Sequence, residues 1–359
     1  MSSLSRTTHV TAIESSTIPP SHLTGLAKLR WAVKNPPVDP DVSFAGKTVL
    51  VTGANVGLGY EAAVKYAQQG CSKLILAVRS QPKGEEAKKE ILRRSRRGDV
   101  SFISILTVDL STFDSVRAFI SALGIELGQG ALHIVLLNAG LANPTFVKSS
   151  HGYEMALQVN VLSTALMAIL LLPIMRRTAV TSKEVPHLTF VNSFGHTEVQ
   201  RKWYSSAPSD GDLLAFANNP DLFEYHKQYV VVKVLGMAVM QHVALSTLSS
   251  DGKPQVIVNA CCPFFCRTNL GRNFSSPMKL LGGIMQFFTA RTAEEGSRTL
   301  VSATVLGSES HGKFWTHEVL FPMGDVARDA GEMGRFWQEI EGAVERNGGV
   351  GDVKDIVRG

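Results

Sequence analysis

Short apolar runs alternate with helical stretches from residue 46 onward, and this alternation restricts the fold more than any other feature. The apolar runs are 47–52, 74–78, 100–108, 132–137, 187–191 and 255–260. A glycine-rich turn and a helical stretch to about residue 69 follow the first run. Further helical patterns cover 82–94, 111–127, 152–175 and 223–248, and two more, 293–305 and 331–345, follow the sixth run. Strands alternating with helices form βαβ units, which place parallel strands in one sheet covered on both faces. An α/β architecture is expected. With 359 residues, 44% hydrophobic and 19% charged, the chain can build a full core, and a disordered or low-complexity protein is excluded.

Residues 1–44 are rich in Ser, Thr and Pro and show little periodicity. They read as a partly disordered N-terminal extension with a short helix around 23–33 that either docks on the domain or stays loose. Residues 45–359 read as one domain, with an insertion at about 194–224 and a C-terminal helix. The longest apolar stretch, 161–175, is broken by Ser163 and Thr164 and ends at Arg176-Arg177. It is too short to span a bilayer and reads as a buried helix, so no transmembrane segment is expected. No secretory signal is expected either, because the N-terminus has no apolar core segment.

Cys71, Cys261, Cys262 and Cys266 make no C-x-x-C pair, and no disulfide framework or metal site is expected of them. A reducing, cytoplasmic setting follows. The net charge of +5 raises the question of nucleic acid. The dense basic run, Arg93-Arg94-Ser95-Arg96-Arg97, has no interleaved aromatics and reads as the solvated end of an exposed helix, so no nucleic-acid partner is expected.

The strongest local motif is Thr52-Gly53-Ala54-Asn55-Val56-Gly57-Leu58-Gly59. It follows a strand and opens a helix. Glycines there permit a tight turn and close backbone approach, and the free amides of a helix start favour a pyrophosphate. The G-x-x-x-G-x-G spacing differs from the G-x-G-x-x-G of ordinary dinucleotide folds. No carboxylate stands near the end of the second strand to hold a ribose 2′-hydroxyl. Arg79 stands there instead, with Lys83 one helical turn on, and a guanidinium suits a 2′-phosphate. NADP(H) is therefore expected over NAD(H). Asp109, after the third strand, either accepts from an adenine amino group or caps the next helix. Asn138-Ala139-Gly140 would let a cofactor ribose approach the sheet edge.

Tyr229 and Lys233 are four residues apart, and on a helix they share one face. A tyrosine with a cation one turn away can exchange a proton with a carbonyl or alcohol oxygen while hydride passes to or from a nicotinamide. The intervening Val230, Val231 and Val232 favour a strand, so a helix here needs tertiary support. Ser193, after the fifth strand, would hydrogen-bond a substrate carbonyl. Asn160, a polar residue in the long apolar helix, either holds a relay water or is a satisfied core amide.

In this order the glycine motif, Asn138-Ala139-Gly140, Asn160, Ser193 and Tyr229-x-x-x-Lys233 resemble the short-chain dehydrogenase/reductase superfamily over about residues 46–345. Val78-Arg79, Asp109-Leu110, Lys313-Phe314 and Phe336-Trp337 are similar to its retinol-dehydrogenase-like branch. Within it, the chain is similar to short-chain reductases of fungal secondary-metabolite pathways. The resemblance implies a Rossmann-type doubly wound parallel sheet of strand order 3-2-1-4-5-6-7. It implies Tyr229 as acid/base, Lys233 as its pKa-lowering and ribose-binding partner, Ser193 as carbonyl-orienting group and Asn160 in the proton relay. Gly53, Asn55, Gly57, Leu58, Gly59, Asp109, Asn138, Gly140 and Thr268 would line the cofactor. Any homo-oligomer would be an analogy with the superfamily.

The sequence departs from that pattern in places. Phe264 stands where the family has glycine after proline, and phenylalanine adopts positive φ at a cost, so a different turn is expected. The segment between Ser193 and Tyr229 is longer than the family's dozen or so residues, and its Trp203 and Tyr204 suggest a lid. The expected activity is reduction of a hydrophobic ketone or aldehyde, or oxidation of the alcohol, with Phe264, Phe265, Phe287 and Phe288 lining an apolar cleft. The alternative is a non-catalytic NADP-binding partner or sensor.

Overall fold

The computed structural model describes residues 18–205, 212–267, 289–349 and 353–358. Its first strand, β1 (Thr48–Thr52), buries Val49, Leu50 and Val51 completely. Leu50 faces one apolar core while Val49 and Val51 face the other. A strand buried on both sides belongs at the centre of a sheet with helices on each face.

The strands are β1, β2 (Lys73–Val78), β3 (Ile103–Thr107), β4 (Ile134–Leu137), β5 (His187–Val191), β6 (Ile257–Cys261), β7 (Phe314–Thr316) and β8 (Val319–Phe321). Their spatial order is 3-2-1-4-5-6-7-8. The first seven are parallel and reproduce the expected order. β8 is an addition, an antiparallel edge strand returning from β7. Its link is a tight turn at His317 and Glu318, with φ of 51° and 57°. Strand order reverses beside β1, where β4 pairs on the side opposite β2. Such a switch point opens a cleft at the carboxyl ends of the strands.

Helices α1 (Gly25–Lys34), α2 (Gly57–Gln68), α3 (Gln81–Ser95) and α4 (Phe113–Leu127) appear where the periodicity places them. The apolar stretch after β4 is less regular than expected. It begins as α5 (Met155–Leu157), passes through a π-turn at Gln158–Leu162, and continues as α6 (Ser163–Ser182). Polar side chains account for the extra backbone slack. Thr164 Oγ1 donates to Val159 O at 2.9 Å, and Gln158 Nε2 donates to Ser163 Oγ at 2.9 Å. The continuous helix of 28 residues is long and apolar enough to cross a membrane, which corrects the length argument. What marks it as a core helix is burial, since 78% of its most apolar window lies inside the molecule.

The insertion contains α7 (Lys202–Ser205) and α8 (Leu213–Ala217) and leads into α9 (Tyr225–Ser246). The three valines of α9 are buried to 0%, 0% and 2% exposure. Burial of each side chain contributes roughly 1.5–3 kcal/mol, against about 0.5 kcal/mol of lost helix propensity. Tertiary packing therefore decides the helix. After β6 come α10 (Ala293–Ala303), α11 (Asp325–Arg328), α12 (Ala330–Gly348) and α13 (Val353–Arg358). α12 lies on α9, where His242 and Trp337 stack with centroids 4.0 Å apart and planes at 7°.

Residues 18–44 are stitched to the domain. Asp39 pairs with buried Lys65 of α2 at 2.7 Å, and Phe44 packs edge-on against Tyr66 at 4.9 Å. Pro37 O accepts from Arg298 of α10 at 3.0 Å. Arg291 is 1% exposed, and its Nε and Nη2 donate to the Ala32 and Asn35 carbonyls at the end of α1. A cation at a helix C-terminus offsets its dipole.

The basic run at 93–97 closes α3, with Arg93 and Arg96 exposed as expected and three of its arginines engaged within the molecule. Arg94 forms a fork with Glu61 at 2.9 Å and 2.9 Å, Arg93 pairs with Glu90, and Arg97 lies 3.5 Å over Phe102.

Candidate active site

The turn between β1 and α2 is built for close approach. Gly53 and Gly57 have φ of 67° and 62°. At Gly59 a Cβ would lie 2.3 Å from Asn138 Nδ2 and 2.7 Å from Gly53 O, so only glycine lets α2 begin this close to β4. Thr52 Oγ1 accepts from the Asn138 and Ala139 amides at 2.9 and 3.0 Å, and Asn138 Nδ2 donates to Thr52 O at 2.9 Å. Asn138 thus fixes the turn as well as flanking the cleft. Val56 occupies the N-cap of α2 and no side chain caps that end. The first-turn amides beside Asn55, Leu58 and Gly59 are left for a ligand, which fits the pyrophosphate expectation.

Arg79 directly follows β2, and Lys83 lies in the first turn of α3. Both are exposed, and no carboxylate among the described residues pairs with either. Asp109 Oδ1 accepts from the Ser111 amide at 2.9 Å, while Thr112 caps α4. The helix-capping role considered for Asp109 belongs to Thr112. Gly140 faces Asn160, whose Oδ1 a Cβ there would meet at 3.2 Å. Thr268, Phe287 and Phe288 lie outside the described residues.

Tyr229, Ser193 and Lys233 come together at the ends of β5 and α9. The Ser193 side chain interacts with the Tyr229 phenol, and Lys233 Nζ lies 5.8 Å from the Tyr229 ring centroid. Gly195 permits this, since a Cβ there would press on Tyr229 Cε1 at 3.1 Å. Asn192 Nδ2 donates to the Lys233 carbonyl at 3.1 Å and ties β5 to α9. Sequence reasoning overlooked both positions; their signal was adjacency to Ser193. Asn160 lies in the π-turn at Gln158–Leu162, and its side chain is a satisfied amide, one of the two readings open for it. Its Oδ1 accepts from the Leu141 amide at 2.9 Å and its Nδ2 donates to the Leu141 carbonyl at 2.8 Å. The side chain is satisfied as a clamp on the loop after β4, leaving the π-turn as its other contribution.

The electrostatics of Tyr229 and of Lys233 are both set first by burial. Burial raises the phenol above its ordinary value, and the Ser193 side chain is what opposes that shift. Lys233 is itself fully buried, and burial pushes its ammonium down to about 8. Its charge is weakened where its neighbour needs it. Nδ1 of the buried His196 donates to the Ser193 carbonyl at 2.7 Å, and burial holds the imidazole's pKa below its ordinary value.

Phe264 keeps the left-handed turn, with φ of 65°, against the expectation of a different one. Its amide donates to Cys262 Sγ at 3.3 Å. Its ring is held by Phe194 at 6.1 Å and His317 at 4.8 Å. The suggested lid is also corrected. Tyr204 is buried, packs on Phe336 at 5.7 Å and donates to Glu332 Oε2 at 2.9 Å, so it anchors the insertion to α12.

The short chain dehydrogenase family model matches residues 47–193. Among curated proteins, the chain is 43% identical over 318 residues to the short-chain dehydrogenase/reductase ffsI of Aspergillus flavipes, covering 88% of this chain and 91% of that one. It is 38% identical to phmF of Phaeosphaeria nodorum, another short-chain dehydrogenase/reductase, covering 93% and 96%. Among solved structures, a Mycobacterium paratuberculosis protein aligns with a TM-score of 0.62 at 21% identity, covering 85% of this chain and 95% of that one. The Pseudomonas aeruginosa RhlG/NADP complex aligns at 0.56 and 20%, covering 77% and 96%. These structures share the fold. With that fold and this clustering of Ser193, Tyr229 and Lys233, the chain belongs to the short-chain dehydrogenase/reductase family of oxidoreductases.

Proposed function

We propose that this chain is an NADP(H)-dependent carbonyl reductase or alcohol dehydrogenase acting on a hydrophobic ketone, aldehyde or alcohol in secondary-metabolite biosynthesis. The observation that carries this reading is the pairing of Ser193 with Tyr229, with the Lys233 ammonium beside the ring, on the same sheet whose first strand leads into the uncapped start of α2. When bound, the nicotinamide supplies hydride to the carbonyl carbon, or takes it from the alcohol carbon. Ser193 hydrogen-bonds the substrate oxygen and holds it against Tyr229. In reduction Tyr229 Oη gives its proton to that oxygen, and in oxidation it takes one. Lys233, 5.8 Å from the Tyr229 ring centroid, would favour the phenolate left behind and so work against the burial that raises the phenol's pKa. Arg79 after β2 and Lys83 in the first turn of α3, both exposed and unpaired among the described residues, support a 2′-phosphate. The cysteines are all free and buried, in keeping with a cytoplasmic setting.

The test is a fluorescence titration with NADPH and NADH on the wild type and Arg79→Ala. Loss of a charge-assisted contact of about 1.5–3 kcal/mol weakens NADPH binding by roughly tenfold or more and leaves NADH unchanged. Equal affinities in the wild type would remove the NADP assignment. The non-catalytic alternative predicts cofactor binding with no turnover of any carbonyl and no effect of Tyr229→Phe.

A further inference from the structure

The described residues contain five non-glycine positions at positive φ, and three of them, Phe264, His317 and Glu318, lie in one patch beside the candidate site. Strained backbone of this kind costs on the order of 1–3 kcal/mol per residue and persists where the surroundings enforce it. The enforcing contacts are aromatic. Phe194, the residue after Ser193, meets Phe264 at 6.1 Å and Phe321 at 5.1 Å, both nearly edge-on.

Above this patch sits a cation from α1. Lys28 Nζ is 5.9 Å from the Phe194 ring centroid and 6.0 Å from that of Phe264. No carboxylate among the described residues pairs with it, and the stretch 268–288 contains neither Asp nor Glu. A second cation, Arg291, lies 5.7 Å from the Phe264 ring and locks the end of α1 in place. Glu318, the acid of the turn, accepts from the Val38 amide at 2.8 Å. The patch therefore combines an apolar aromatic floor with a fixed, half-buried ammonium, one residue beyond Ser193.

We infer that Lys28 and the Phe194–Phe264 floor form a selective wall of the substrate cleft, which favours a carbonyl compound with an aromatic or apolar body and a carboxylate distant from the reacting carbon. The rings take the body and the ammonium takes the carboxylate. A charge-assisted contact at a partly desolvated site is strong enough to set such a preference. This rests on the reductase reading of the same site and narrows its substrate class.

The experiment separates the two by reading binding as well as turnover. The probes are 4-benzoylbenzoate and its methyl ester, titrated by calorimetry into the full chain with NADP+ present. The expected result is acid bound at least tenfold tighter than ester, with the preference lost in Lys28→Met and retained in Lys28→Arg. NADPH affinity is unchanged in both variants. Where the probes are turned over, Lys28→Met raises KM for the acid and leaves kcat. Equal binding of acid and ester to the wild type, absence of binding by either, or an unchanged preference in Lys28→Met overturns the proposal. Failure of the reductase reading looks different: acid preference persists in binding while no carbonyl is reduced.

Discussion

At the scale of single residues, the site sets proton chemistry against burial. Tyr229→Phe removes only the hydroxyl that carries the proton. Turnover should fall by about 10²–10⁴-fold, the usual contribution of a general acid, while NADPH affinity stays near wild type in steady-state and binding measurements. Lys233 shows the cost of that chemistry. Its pKa falls from 10.5 to about 8 in the folded chain, so the unfolded chain holds more protons between those values. Its charge therefore opposes folding fully below pH 8, and this penalty fades as pH rises toward 10.5. Lys233→Met should melt higher than wild type at pH 7, by on the order of 3 kcal/mol, with the gap narrowing from pH 8 upward and activity lost. Parallel thermal melts from pH 6 to 10 check this. The Tyr-x-x-x-Lys spacing was legible in the sequence because helical periodicity puts the pair on one face. The direction of the pKa shifts was not, because depth of burial depends on what α12 and β6 place around the helix. The Asn160 clamp was hidden for a related reason: its partner, Leu141, is a backbone whose position only the folded loop defines.

At the scale of elements, alternating apolar runs foretold six parallel strands and the family resemblance supplied the seventh and the order, while β8 escaped notice. Its three residues follow a turn made by His317 and Glu318 rather than by the glycine or asparagine that usually marks a two-residue hairpin. The π-turn was equally unreadable, since its cause lies in side-chain bonds of Thr164 and Gln158. The insertion is pinned by a carboxyl pair. Glu339 of α12 accepts from the Leu214 amide at 2.9 Å, and burial together with nearby Asp212 raises its pKa to about 8. The folded state then binds the extra proton, so its contribution is present at acidic pH and lost as pH rises through about 8. The hold on α8 should loosen over that range. Hydrogen exchange at Leu214 and Ala215 should accelerate between pH 7 and 9 beyond the intrinsic rate, and Glu339→Gln should remove the excess.

At the scale of the whole molecule, the segment 18–44 completes the domain rather than trailing from it. Its composition suggested looseness because Ser, Thr and Pro dominate, whereas its stability comes from partners far along the chain. Arg291→Ala leaves the Ala32 and Asn35 carbonyls without their donor. It should open 18–44 to limited proteolysis and lower the melting temperature by several degrees, while β1 to β6 stay protected. The same stitching bears on how the chain is made. The bonds from Arg291 to Ala32 and from Arg298 to Pro37 join residues 259 and 261 positions apart. The strap leaves the ribosome well before its anchors do. At about 5–20 residues per second, it waits roughly 13–50 seconds for them. Throughout that interval the carbonyls at the end of α1 lack their donor, and α1 is held to the domain only once Arg291 has been made.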